Sequence, residues 1–104
     1  MVDRGEVWWL ELPELGRRPT LVLTRGAAIP VRRKVMVAPL TTRVRDIPVE
    51  VPLSAAKDGV AKDCVVNLDN VETVPQTLLT ERMAALSEAR MREVCAALAV
   101  ATSC

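Results

Sequence analysis

Two short arrangements in this chain could hold a phosphate group. Arg18-Pro19 enters one apolar run, Arg17-Arg18-Pro19-Thr20-Leu21-Val22-Leu23, and Thr41-Thr42 leaves another, Val37-Ala38-Pro39-Leu40-Thr41-Thr42-Arg43. Pro19 fixes φ and suits the first residue of a strand, so the arginine before it is held at a defined place on a sheet rim. A threonine hydroxyl at a strand end can donate to a phosphate oxygen, and Arg43 and Arg45 could hold neighbouring phosphates. Alone, Arg-Pro reads as a solvated turn and Thr-Thr as simple β-propensity. Their joint presence in one stretch without acids favours a site.

That stretch runs from Leu15 to Arg45. It holds eight basic residues (Arg17, Arg18, Arg25, Arg32, Arg33, Lys34, Arg43 and Arg45) and no Asp or Glu. The rest of the chain carries six basic and thirteen acidic residues, an asymmetry hidden by the formal net charge of +1. A one-signed patch suits a polyanion, because releasing counterions from phosphates drives sequence-independent nucleic-acid binding. Arg25, Arg32, Arg33 and Lys34 read as loop charges that steer such a partner. Asp69-Asn70 offers an acceptor and an amide that could read a base edge or equally cap a turn. Trp8-Trp9 is the only aromatic pair; adjacent strand residues face opposite sides, which predicts one in the core and one exposed or at an interface. With no histidine in the chain, imidazole acid–base catalysis is excluded. Histidine is missing as a metal ligand too, and no C-x-x-C pair occurs, so neither a metal site nor a cofactor is predicted. Cys64, Cys95 and Cys104 read as reduced thiols, two of them in apolar settings.

Short strands must position these groups. At 104 residues the chain has room for one domain, taken as residues 1–104. Glu6 to Leu12, Thr20 to Thr24, Val35 to Leu40 and Val49 to Leu53 read as strands, with Pro52 marking an edge. Lys57-Asp58-Gly59 turns the chain before a strand-like segment from Cys64 to Val71, from which a period-two pattern continues and stops near Pro75. Gln76 to Leu79 suits a single helical turn and Arg82 to Leu86 a last strand. Ser87 is a helix N-cap, with Glu88 at the positive end of the dipole; Met91, Val94, Cys95, Leu98 and Thr102 then recur at helical spacing to about Ala101. Five or six closely spaced strands and one terminal helix predict a small β-barrel. No apolar run is long enough to span a bilayer, and Met1 to Arg4 lead straight into strand-like sequence, which points to the cytoplasm.

Together these segments resemble the MazF/PemK family of toxin endoribonucleases. The resemblance begins at Arg4-Gly5-Glu6-Val7-Trp8 and continues through Arg18-Pro19-x-Leu21-Val22-Leu23 and Val37-Ala38-Pro39-Leu40-Thr41-Thr42. It takes in Lys62-Asp63-Cys64-Val65-Val66-Asn67, Asp69-Asn70-Val71-Glu72-Thr73 and Leu86-Ser87. The resemblance implies an SH3-like antiparallel β-barrel with a C-terminal α-helix, mainly β with helices, acting as a homodimer. It also implies metal-independent cleavage of single-stranded RNA at short sequences. A cognate MazE-like antitoxin, whose disordered acidic and apolar tail fills the RNA groove, would neutralise it. The family's catalytic arginine and threonine fall on Arg18 and Thr41. Arg17, Arg25, Thr42, Arg43, Arg45, Asp69 and Asn70 are then the candidate RNA-binding residues.

The turn from Pro13 to Arg17 is shorter than in many members, where a longer loop folds over the substrate. Two other readings compete. A gyrase-inhibiting toxin of the CcdB type has the same barrel but uses a tryptophan-containing C-terminal tail, whereas this chain ends Ala101-Thr102-Ser103-Cys104. A non-catalytic SH3-like module binding RNA or protein would need the basic stretch but not the pairing of Arg18 with Thr41.

Overall fold

A computed structural model describes residues 2–104. Seven strands form the body: β1 (Glu6–Leu12), β2 (Gly16–Val22), β3 (Lys34–Thr41), β4 (Glu50–Leu53), β5 (Cys64–Asn67), β6 (Glu72–Pro75) and β7 (Leu79–Ala85). A one-turn helix α1 (Ala55–Asp58) and the terminal helix α2 (Glu88–Thr102) complete it, with 3₁₀ turns at Gly26–Val31, Leu68–Asn70 and Gln76–Leu78. All strand pairs are antiparallel. The order β4-β5-β3-β2-β1-β7 leaves the sheet open between β4 and β7. Thus the expected mainly antiparallel architecture with a C-terminal helix is present, but its hydrogen-bonded ladder does not close.

The long strand β3 is the pivot. One edge pairs with β2, where Thr20, Leu21 and Val22 face Pro39, Ala38 and Val37. Its other edge is divided, with Lys34 to Val37 on β6 and Leu40 and Thr41 on β5. The sheet therefore turns at Pro39, which cannot donate to a ladder bond. At the opening, the left-handed Gly59 that ends α1 lies against Ala84, and the Ala61 N–H donates to Met83 Sδ at 3.4 Å.

Alternating strand residues build two cores. The larger contains Val7, Leu21, Ala38, Leu40, Val51, Leu53 and Val66, and is covered by Val94 and Ala97 of α2. The smaller gathers Leu10, Val22, Val35, Val37, Val74 and Leu79 on the opposite face. Burying a Val or Leu side chain contributes about 1.5–3 kcal/mol, so the two faces together dominate the fold's stability.

Several boundaries depart from the sequence reading. The stretch Cys64 to Val71 is not one strand; it breaks at Leu68–Asn70, where the Asn67 side chain accepts from the Asp69 N–H at 2.9 Å. An Asn at a strand end offers its neighbours a local bond that competes with the ladder. The segment Gly26–Val31, not assigned from sequence, is a 3₁₀ turn over the smaller core. In α2 the buried stripe is Val94 and Ala97, with Met91, Leu98 and Ala101 beside it. Cys95 and Thr102 are exposed, so only Cys64 has the apolar setting expected of two cysteines. Cys95 sits about 100° around the helix from Val94, and the stripe is completed at i+3, i+4 and i+7 instead. Ser87 does cap α2, accepting from the Arg90 N–H at 3.1 Å. Among the described residues, no helix is long and apolar enough to cross a membrane.

Candidate active site

The pleat of β2 sends its two adjacent arginines into different pockets. Arg18 stands opposite Leu10 of β1 and Arg17 opposite Glu11. Arg18 and Thr20 line one side of β2, and Arg17 and Pro19 the other. Thr41 ends β3, two residues past the point where Pro39 faces Thr20. Arg18 and Thr41 thereby open onto one central pocket of about 380 Å³, shared with Arg43, Arg45, Asn67 and Asn70.

Both central side chains keep free donors. Among the described residues, Arg18 is exposed and forms no ion pair. Thr41 Oγ1 accepts from the Arg43 N–H at 3.1 Å, which orients the hydroxyl and leaves its own proton for an acceptor in the pocket. The loop carrying Arg43 and Arg45 is tied from below. Buried Glu50 accepts from the Arg45 and Asp46 N–H groups through Oε1, at 2.8 and 3.1 Å. Asp46 adopts a left-handed φ of 56° at the bend.

Two further pockets adjoin the central one. On the Thr41 side is a space of about 360 Å³ lined mainly by apolar groups, among them Trp9, Pro19, Leu40 and Met83, with Arg17, Thr42 and Lys62 on its wall. There the Arg17 guanidinium lies 4.2 Å from the centre of the Trp9 ring and 3.0 Å from Glu81. Trp8 and Trp9 do take opposite faces, but each is half-buried; Trp8 packs on the smaller core and donates to Glu6 at 3.0 Å. On the Arg18 side is a more polar space of about 380 Å³ with Asp69, Asn70 and Glu72. The three pockets form one tract, because Thr41 borders both the apolar pocket and the central one, and Arg18 and Asn70 both the central pocket and the polar one.

The structure thus gathers Arg18, Thr41, Arg43, Arg45 and Asn70 at the centre, with Arg17 and Thr42 on one flank and Asp69 on the other. It does not bring Arg25 there: that residue lies beyond the opposite end of β2, at the head of the Gly26–Val31 turn, and is exposed. Asn67, Glu50 and Glu72 were not singled out as site residues by sequence reasoning. Asn67 stands three positions from Asn70 with nothing local to distinguish it, and Glu50 is one acid in an ordinary alternating strand.

Among the described residues, one thiol, that of Cys64, borders the tract. Burial, together with the charges of Asp58 and Asp63, pushes the Cys64 thiol above its usual range, so it stays protonated and unreactive at neutral pH.

Residues 3–102 match the model of the PemK-like, MazF-like toxins of type II toxin–antitoxin systems. Over 101 residues the chain is 48% identical to Probable endoribonuclease MazF5 of Mycobacterium tuberculosis, covering 97% of this chain and 93% of the relative. The solved Mycobacterium tuberculosis toxin MazF-mt6 superposes with a TM-score of 0.85 at 32% identity, covering 94% of this chain and 96% of that one. A mycobacterial endoribonuclease solved in complex with its cognate antitoxin superposes at 0.89 with 29% identity, over 99% and 96% of the two chains. The chain belongs to the family of PemK-like, MazF-like toxins of type II toxin–antitoxin systems.

Proposed function

We propose that this toxin is a metal-independent, sequence-specific endoribonuclease that cleaves single-stranded RNA in the cytoplasm and so inhibits translation and growth. The observation that carries the reading is the opening of Arg18 and Thr41 onto one cationic pocket, each with a donor unspent inside the protein. Relatives named endoribonucleases support it.

In the proposed reaction the ribose 2′-oxygen attacks the adjacent phosphorus. The O2′–P bond forms, the P–O5′ bond breaks, and the 2′-hydroxyl proton is lost while O5′ gains one. The products are a 2′,3′-cyclic phosphate and a 5′-hydroxyl end. The substrate supplies its own nucleophile, so the protein's task is alignment and stabilisation of charge on the phosphorane oxygens. Arg18 offers a planar, permanently charged fork for two of those oxygens. Thr41 adds a directed hydroxyl bond. Arg43 and Arg45 hold flanking phosphates, while Arg17, Thr42, Asp69 and Asn70 line the path of the neighbouring nucleotides. The domain, residues 1–104, works as a homodimer. The MazE–MazF complexes of Deinococcus radiodurans and the mycobacterial complex support a cognate antitoxin as its partner. An acidic tail of that antitoxin would compete with RNA for the same cationic tract.

Incubation with labelled RNA, followed by mapping of the ends, tests this directly. New 5′-hydroxyl ends that accept a kinase-delivered phosphate are expected, at the same rate with and without EDTA. Arg18→Ala should abolish cleavage with its melting temperature unchanged. A folded, fully active Arg18→Ala protein would overturn the assignment.

A further inference from the structure

Asn67 closes β5 and is only 4% exposed, yet half of its amide is idle. Oδ1 accepts from the Asp69 N–H at 2.9 Å and caps the Leu68–Asn70 turn. That bond settles the orientation of the amide, because an N–H can meet only its oxygen. Nδ2, with two protons to donate, has no hydrogen-bond partner among the described residues, and Asn67 lines the central pocket beside Arg18 and Thr41. Nδ2 keeps contact with solvent, so its donors are free for an acceptor that enters the pocket. Glu50, opposite in the β4–β5 register, has a buried Oε2 without a partner, but no bond joins it to Asn67 and it does not line this pocket. Around the pocket, Arg18, Arg43, Arg45 and the Thr41 hydroxyl proton are all donors. What they lack in common is an anion.

We propose that Asn67 Nδ2 donates to a non-bridging oxygen of the scissile phosphate, as a third donor beside Arg18 and Thr41. The inference rests on the endoribonuclease reading and deepens it. A neutral amide adds direction without charge. It sits on a strand end braced by β4, so its position is set by the sheet and not by the mobile reach of an arginine.

The test separates the capping bond from the proposed donor. Asn67→Ser keeps an oxygen able to cap the turn and replaces the amino group with a hydroxyl one bond closer to the backbone. Asn67→Asp keeps the shape and removes the donor but adds a negative charge, so the sulfur comparison, not the rate alone, reads the lost bond there. The substrate is an oligoribonucleotide spanning a site mapped for the wild-type protein, made with sulfur in place of each non-bridging oxygen in turn. Asn67→Ser is expected to melt with the wild type and to lose on the order of a hundred-fold in kcat. Sulfur at one of the two positions should slow the wild type but slow Asn67→Ser no further, since the affected bond is already gone. Should Asn67→Ser not fold, the same comparison is made with Asn67→Asp. A folded variant cleaving at the wild-type rate overturns the proposal, as does a sulfur effect of equal size in both proteins. Wild-type protein that leaves RNA intact overturns the endoribonuclease reading, and this one with it; an active wild type beside an equally active variant overturns the Asn67 assignment alone.

Discussion

Arg17 and Arg18 are chemically identical neighbours with different work. The strand pleat turns Arg18 toward Thr41 and leaves it unpaired, whereas Arg17 is stacked on Trp9 and tied to Glu81. Such an exposed pair contributes little to stability, typically under about 1 kcal/mol, so Arg17 remains available to a ligand. Thr41 illustrates how one atom can serve structure and chemistry together. Its oxygen receives the Arg43 N–H, which leaves its proton for an acceptor in the pocket. Thr41→Val removes both and should lower kcat on the order of a hundred-fold. Thr41→Ser, which restores the hydroxyl, should recover most of the rate. Single-turnover cleavage of a defined oligoribonucleotide measures both, and equal rates for Val and Ser would show that the hydroxyl is idle.

Elements, more than single residues, deliver the loop from Thr42 to Pro48. It follows β3 directly and would be free to sweep the pocket were Glu50 of β4 not holding Arg45 and Asp46 by their backbone. Those bonds span from one element to the next, so the loop's geometry is a property of the β3–β5–β4 arrangement. Glu50→Ala should cost about 1–3 kcal/mol of stability. In hydrogen exchange, the amides of Arg45 and Asp46 should lose protection first. RNA affinity should fall with them, while the strands stay intact by circular dichroism. Unchanged protection at those two amides would show that the loop is held some other way.

Across the whole molecule, charge is sorted only in part, since Asp69 and Glu72 line one flank of the tract and Arg25 lies outside it. The basic stretch supplies the cations at the centre of the tract, and among the described residues four acids, Glu6, Asp58, Glu81 and Glu93, are spent on ion pairs. Asp58 and Arg90 make the clearest of these, clamping α1 to α2 with contacts of 3.1 and 3.2 Å. Burial by itself would raise the Asp58 carboxyl. The Arg90 hydrogen bonds, the Ser54 N–H and the charges of Arg90 and Lys57 outweigh it and hold the group below its ordinary value of 3.8. A carboxyl with a lowered folded-state pKa contributes stability that is complete above the unfolded value. That contribution is lost as pH falls through the folded one. Asp58→Asn should therefore be less stable than wild type at pH 7, by about 1.5–3 kcal/mol. The gap should narrow below about pH 4, as read from urea titrations across that range. A gap that stays constant into acid would remove the pair from the stability of the fold.

Much of this molecule can be read from residue order alone, for a local reason. The run of β-formers from Glu6 to Leu12, Ser87 before a helical stripe, and the Arg-Pro and Leu-Thr-Thr junctions are set by neighbours a few positions apart. Those signals recovered β1, α2, the ends of β3 and the family resemblance. Contacts between distant segments are not written in any local pattern. Arg18 shares a pocket with Thr41 because β2 pairs with β3. Arg25 is left out because it follows the other end of β2. Asn67 faces the pocket because the chain breaks after it, in what reads as continuous strand. Local propensity chose the elements; long-range pairing and burial chose which side chains share a pocket.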